Sequence, residues 1–316
     1  MKVVSSILPP EVLCKDAARE FPEAEFLFYK GMEAAGQSFY EAEIFITYGE
    51  DLTEEHIYKT LNLKWIMVMS AGMDEMPLKA CKEKGILVTN ARGIHKIPMA
   101  EFTLGAMLGH VKKIALLADN EGNEVWDRKL PVEELNGKTL LILGVGAIGG
   151  EIARLAKCFG MKVAGVNRSG KDSANTDSIY KVSQLTDILP NADFIVSVLP
   201  STAETKYLLQ KEHFAAMKGS AVFINIGRGN LVEEDVLIYA LETNEIAHAY
   251  LDVFQKEPLP MGHPFWKMEN VTVTPHLSSK TKNYLPRSFE IFKHNLHTYI
   301  KNNKDYINAI DLERGY

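Results

Sequence analysis

Residues 139–149 read TLLILGVGAIG. An apolar run of strand length passes straight into glycines at 144, 146 and 149. Ile152, Leu155, Ala156 and Phe159 then recur at i, i+3, i+4 and i+7, the spacing of one helical stripe. A G-x-G-x-x-G that closes a strand and opens a helix is the fingerprint of a dinucleotide-binding turn. Gly144 permits the tight turn, Gly146 lets the backbone approach a pyrophosphate, and Gly149 lets the helix lie close on the sheet. Ala147 and Ile148 lie in the glycine turn that leads into the helix N-terminus, and both are expected to contact the cofactor. There the free N–H groups and the positive end of the helix dipole suit phosphate.

Working outward, nearly continuous apolar runs occupy 162–166, 194–199, 221–226, 248–253 and 271–274. Such runs suit strands buried on both faces of a parallel sheet. The stripe predicts a helix over 149–159, ended by Gly160, and further helices fit 182–188, 205–217 and 233–241. Six strands with crossovers describe a doubly wound α/β domain of the Rossmann type. The first hundred residues repeat the style on a smaller scale. Strands are expected at 3–7, 25–29, 43–47, 65–69 and 86–89, with helices such as 54–61 and 77–84. A long helix over 98–119 follows, and a last helix over 284–301 is expected to return to the first domain. Its apolar residues Phe102, Leu104, Met107, Leu108, Val111, Ile114, Leu116 and Leu117 are too many for one buried stripe of the long helix, so part of that surface is expected to meet a partner subunit. The expected domains are therefore 1–96 with 281–316, and 97–280.

The chain has 316 residues, 46% apolar, with a net charge of -6 and no basic run. That balance argues against nucleic acid or an anionic membrane as partner. No apolar stretch approaches the length of a membrane span, and MKVVSSILPPE reads as a first strand rather than a signal peptide. A cytoplasmic location is expected. Cys14, Cys81 and Cys158 are odd in number and lack CxxC spacing, so no disulfide framework or metal site is expected. All three fall in helical segments and are expected to be buried thiols.

Two regions carry the chemistry. After the second strand of the larger domain come Asn167, Arg168 and Ser169. A carboxylate at this turn would accept from the ribose 2′-OH of NAD and repel a 2′-phosphate. Asn167 removes the repulsion, while Arg168 and Ser169 add charge and hydrogen bonding, so NADP is the expected preference with NAD also used. Farther along, Arg228, Glu257 and His276 follow the runs 221–226, 248–253 and 271–274, where open α/β sheets bind ligands. Reducing a ketone needs a proton for its oxygen, which histidine supplies near neutral pH. A carboxylate beside the imidazole orients it, and a guanidinium holds a substrate carboxylate and polarises the carbonyl.

With these residues in place the sequence resembles the D-isomer-specific 2-hydroxyacid dehydrogenase family over nearly its whole length. The resemblance rests on SAGMD at 70–74, VTNARGIHKIPMAE at 88–101, LPSTAET at 199–205 and HPFW at 263–266. It implies that Arg228, Glu257 and His276 form the catalytic set. It implies that backbone near Ala71 and Gly72, with Arg228 and His276, holds the substrate. It places Asp252 near the nicotinamide carboxamide, and Leu199, Pro200, Thr205, Ile226, Gly227, Arg228 and His276 along the cofactor. It also implies a cleft between domains and a homodimer built on the nucleotide domains. The implied activity is reduction of a small 2-keto acid, glyoxylate or hydroxypyruvate in type, to the D-2-hydroxy acid. The NRSG turn and the tail NAIDLERGY are closest to short members labelled glyoxylate/hydroxypyruvate reductase or phosphoglycerate dehydrogenase-like. So little sequence follows the last helix that no regulatory domain is expected. A phosphoglycerate-type dehydrogenase remains an alternative. Formate dehydrogenases also resemble the family, but carry Gln where Glu257 stands. A nucleotide-sensing corepressor would retain similar residues, and turnover separates it from an enzyme.

Overall fold

The computed structural model describes residues 1–73 and 75–313. Asp74 of SAGMD and the last three residues of the tail lie outside the described residues. The chain divides into two compact units, Met1–Ile94 with Thr281–Tyr316, and His95–Lys280.

In the first unit, β1 (Lys2–Ser5), β2 (Glu25–Phe28), β3 (Ile44–Thr47), β4 (Trp65–Val68) and β5 (Leu87–Asn90) alternate with α1 (Glu11–Glu20), α2 (Met32–Tyr40), α3 (Glu54–Lys59) and α4 (Leu78–Glu83). The strands are all parallel in the order β2-β1-β3-β4-β5, the flavodoxin-like doubly wound arrangement. Ile44, Ile46, Trp65 and Met67 face one core, while Phe45, Ile66 and Val68 face the other, as the period of two requires.

The second unit opens with α5 (Lys96–Val111) and α6 (Ile114–Gly122). The single helix expected over 98–119 is therefore two. Lys113 between them takes φ 56, the left-handed region, which ends the first helix. The break also sorts the apolar residues. Leu104, Met107 and Val111 are buried, whereas α6 buries none of its residues.

Seven parallel strands follow: β6 (Thr139–Leu143), β7 (Lys162–Val166), β8 (Ser178–Tyr180), β9 (Phe194–Ser197), β10 (Val222–Asn225), β11 (His248–Leu251) and β12 (Val271–Val273). Between them lie α7 (Ala147–Cys158), α8 (Leu185–Ile188), α9 (Lys211–Ala215) and α10 (Glu234–Glu242). Strand β8 was not among the six expected, because its three half-buried residues form the sheet edge and lack an apolar run. The sheet order β12-β11-β10-β9-β6-β7-β8 reverses direction between β6 and β9, the switch point where open sheets bind nucleotides. Leu140, Ile142, Val196 and Ile224 pack under α5 and α7, while Leu141, Leu143, Ile195 and Phe223 pack under α8, α9 and α10.

The helix expected over 205–217 shortens to α9. Thr205 Oγ1 instead donates to Pro200 O and accepts from Thr202 N, and Tyr207 takes φ 52 while its N–H donates to Asn230 O. Tertiary hydrogen bonds outweigh helix propensity there.

The last helix, α11 (Tyr284–Ile300), belongs to the first unit, where Phe289, Phe292 and Leu296 join the core of Ile44, Trp65 and Met67. Trp65 stacks on Phe292 and Tyr299, with ring centres 5.5 and 5.8 Å away. Ala309 bridges to Thr89 of β5.

Of the cysteines, Cys81 is buried, and burial pushes its thiol up to about 12. Cys14 is half-buried. Cys158, expected inside, is exposed in the last turn of α7. Among the described residues no helix is long and apolar enough to cross a membrane, and no group of His, Cys, Asp and Glu could hold a metal.

Candidate active site

The glycine loop leaves β6 at Gly144, whose φ of 99 suits glycine alone among common residues. A Cβ on Gly149 would lie 2.1 Å from Gly144 O, so this glycine is what lets α7 return so close to its own turn. A Cβ on Gly146 would meet nothing within 4 Å, which leaves open space in front of the loop. Gly146 is also the N-cap of α7 and offers no side-chain cap, so the N–H groups of Ala147, Ile148 and their neighbours keep no side-chain acceptor from that position. Room, uncapped donors and a helix N-terminus fit a pyrophosphate.

Leu199, past the end of β9, ties this loop to the next. Its Cδ2 would be 3.1 Å from a Cβ on Gly144, and its backbone O would be 2.7 Å from a Cβ on Gly227. Pro200 and Thr205 are joined through the Thr205 hydroxyl, and Asn230 Nδ2 donates to Ser201 Oγ at 2.7 Å. The loops that follow β9 and β10 are thus fastened to each other.

Three turns carry the proposed chemistry, and each follows a neighbouring strand. Arg228 stands after β10, beyond Ile226 and Gly227. Asn225, only 1% exposed at the end of β10, brackets that turn. Its Oδ1 accepts from Gly227 N at 3.2 Å and its Nδ2 donates to Arg228 O at 3.0 Å. Arg228 Nη1 in turn donates to Gly227 O at 2.9 Å. On the far side of Arg228, a Cβ on Gly229 would lie 1.9 Å from the carbonyl carbon of Phe254, so the Arg228 turn rests directly on the backbone after β11. Phe254 N donates to Glu257 Oε1 at 3.0 Å, and Glu257 Oε2 lies 2.8 Å from His276 Nδ1. The carboxylate is therefore aimed by a backbone N–H on one oxygen and meets the imidazole with the other.

Buried Asp252 builds the His276 loop. Its Oδ1 accepts from Thr274 Oγ1 and Leu277 N, and its Oδ2 from Ser278 N, all within 2.6–2.9 Å. Asp252 N donates to Asn225 O, and His276 N donates to Asp252 O. His276 takes φ 52, a strained region for a side-chain-bearing residue, and this set of bonds holds it there. Asn225 and the bracing role of Asp252 were not read from the sequence. Their only signal is a polar residue closing an apolar strand.

His95, the N-cap of α5, belongs to the same electrostatic neighbourhood. Burial first, then the positive charge of Arg228 and His276, push its imidazole down to about 4, so it is neutral near pH 7. On the opposite side of the sheet order, the turn after β7 is exposed. Asn167 Oδ1 accepts from Gly170 N and Ser169 Oγ, and its Nδ2 donates to Lys171 O. Arg168 forms an ion pair with Glu204.

In the first unit, the Ser70–Met73 loop follows β4. Ser70 Oγ donates to Gly72 O at 3.1 Å and Asn90 Nδ2 donates to Ala71 O at 2.9 Å, so both carbonyls of the expected substrate loop are held within their own unit.

The family model described as D-isomer specific 2-hydroxyacid dehydrogenase, NAD binding domain, matches residues 104–278. The chain belongs to this family and is a nicotinamide-dependent oxidoreductase of the D-2-hydroxyacid class. It is similar to the D-3-phosphoglycerate dehydrogenase of Methanocaldococcus jannaschii, at 36% identity over 74% of this chain and 45% of that protein. The match thus spans less than half of that longer relative. It is also similar to the glyoxylate reductase of Aeropyrum pernix, at 34% identity over 70% of this chain and 68% of that protein. A solved family member from Aeromonas salmonicida superposes with a TM-score of 0.90 at 33% identity, covering 98% of this chain and 99% of the other.

Proposed function

We propose that the protein reduces a small 2-keto acid of the glyoxylate or hydroxypyruvate type to its D-2-hydroxy acid, with NADPH preferred over NADH. The observation that carries this reading is the 2.8 Å pair of His276 and Glu257 beside the Arg228 turn. When bound on the Gly144–Gly149 loop, the dinucleotide supplies hydride to the carbonyl carbon. The imidazolium of His276 gives a proton to the carbonyl oxygen, so the C=O becomes CH–OH and the imidazole ends neutral. With Nδ1 engaged by Glu257, Nε2 delivers that proton. The side chain of His276 is 44% exposed, which lets solvent restore the proton. Arg228 holds the substrate carboxylate through its planar fork and polarises the carbonyl.

Ile226, Gly227, Leu199, Pro200, Thr205 and Asp252 line the cofactor in this reading, and Asn167, Arg168 and Ser169 receive the 2′-phosphate. The test is NADPH and NADH oxidation against glyoxylate, hydroxypyruvate, pyruvate, phenylpyruvate and 2-ketogluconate. Turnover of the first two with NADPH is expected. Tight cofactor binding without turnover of any keto acid would leave a nucleotide sensor instead, and oxidation of phosphoglycerate in preference would favour the phosphoglycerate type.

The same reading includes a homodimer formed through the second unit. Helix α6 buries none of its residues, and Ile114, Leu116, Leu117, Val125 and Val132 are exposed alongside Trp126, which is 89% exposed. Apolar surface in that quantity marks an interaction site. Light scattering at micromolar concentration should give twice the 35.4 kDa chain mass, and the mass of a single chain would remove the dimer.

A further inference from the structure

Arg168 Nη2 lies 2.7 Å from Glu204 Oε2, and the two side chains are 75% and 70% exposed. Arg168 is the second residue after β7, and Glu204 sits in the loop after β9. Strand β6 lies between β7 and β9 in the sheet, so the pair joins the two loops that flank the glycine turn. Both ends stand on built backbone. The Asn167 side chain closes the turn that carries Arg168, and the Thr205 hydroxyl, next to Glu204, is bonded to Pro200 O and Thr202 N. In doubly wound dinucleotide sites, the end of the second strand is where the 2′ position of the adenosine ribose is read. The guanidinium expected to receive a 2′-phosphate already holds a carboxylate from across the glycine turn.

We propose that Glu204 is a cofactor-specificity residue that competes with the 2′-phosphate for Arg168. Binding of NADPH exchanges one anion for another on the same guanidinium, whereas NADH has no phosphate to displace Glu204. This rests on the reading that Arg168 receives the 2′-phosphate. A phosphate monoester carries more charge and more acceptor oxygens than a carboxylate, so the exchange favours NADPH. Glu204 nonetheless subtracts from that preference, by about the two- to fivefold that an exposed ion pair is worth.

The experiment measures dissociation constants of NADPH and NADH, by nucleotide fluorescence or titration calorimetry at fixed ionic strength. The proteins are wild type, Glu204→Gln, Arg168→Leu and the double variant. Thermal melting checks that each is folded, which the exposure of both positions favours. The expected result is that Glu204→Gln tightens NADPH about two- to fivefold and leaves NADH unchanged. Arg168→Leu should weaken NADPH, and adding Glu204→Gln to it should then change nothing. If Arg168→Leu weakens NADPH but Glu204→Gln has no effect, the competition is overturned while the reading of Arg168 stands. Equal tightening of both cofactors, or the same tightening of NADPH in the Arg168→Leu background, also overturns it, because Glu204 would then act without Arg168. If Arg168→Leu leaves NADPH binding intact, the reading of Arg168 fails and the competition falls with it.

Discussion

The ends of β10, β11 and β12 and the end of β7 belong to one sheet but are built on opposite terms. At the first three, Asn225 and Asp252 are buried and bind the turns through both polar atoms of their side chains. Asn225 brackets Gly227 and Arg228, and Asp252 takes three donors from the loop of His276. Gly227 and Gly229 press against the backbone of Leu199 and Phe254, where no larger residue fits. At the end of β7, Asn167 closes an exposed turn on itself, and Arg168 forms an exposed ion pair with Glu204. Buried hydrogen-bond networks define one geometry and are costly to disturb, whereas exposed charges are worth little to stability and rearrange at low cost. In the proposed reading, reaction geometry and cofactor choice are thereby separated within the same sheet.

The contrast can be broken at either end. The largest effect is expected at the saturated end. His276→Gln keeps a polar side chain of similar reach but removes the proton donor, and kcat should fall by about a hundredfold or more. Cofactor affinity should be kept, because the glycine loop is untouched. Near-normal turnover in this variant would take His276 out of the mechanism and leave the Asp252 scaffold without a chemical purpose.

A smaller and differently placed effect is expected at the open end. Asn167→Asp with Arg168→Leu restores an acceptor for a 2′-OH and deletes the cation, so the ratio of kcat/KM for NADPH over NADH should drop by about tenfold or more. The melting temperature should stay close to that of the wild type, since the hydrogen bond from Asn167 to Lys171 O and the ion pair that are lost are exposed. A large loss of stability would show that this turn is as deeply built in as the turns after β10 and β12, and the contrast would collapse. An unchanged cofactor ratio would mean the turn does not select the phosphate.

What the sequence makes legible follows from the same contrast. Strands such as Val222–Asn225 announce themselves because both faces are buried and every residue is apolar or closes the strand. Strand Ser178–Tyr180 does not, because an edge strand with half-buried residues carries no such run. The glycine loop and the three residues Arg228, Glu257 and His276 are visible because their types are unusual at strand ends and their chemistry fits together. Asn225 and Asp252 look like ordinary polar residues until the hydrogen bonds are seen. Their role lies in partners far apart in sequence, as when Asp252 meets Ser278. The helix expected over 98–119 misses its break because nothing in the apolar pattern marks Lys113 as left-handed. The residues that would continue the helix are good helix formers, and only the exposure of α6 reveals that the two halves serve different surroundings.

The stacking of Trp65 on Phe292 and Tyr299 bears on the order in which the chain acquires its shape. These partners lie on either side of the whole His95–Lys280 segment in the polypeptide. As the chain is synthesised from its N-terminus, β1 to β5 emerge with one apolar face lacking α11, and wait while the second unit, continuous in sequence, completes its own core. The early part of the nascent chain then presents Ile44, Ile46, Trp65 and Met67 without their α11 partners for the time needed to translate nearly two hundred further residues. That interval, rather than the finished protein, is where the first sheet is most exposed to aggregation and to chaperone capture.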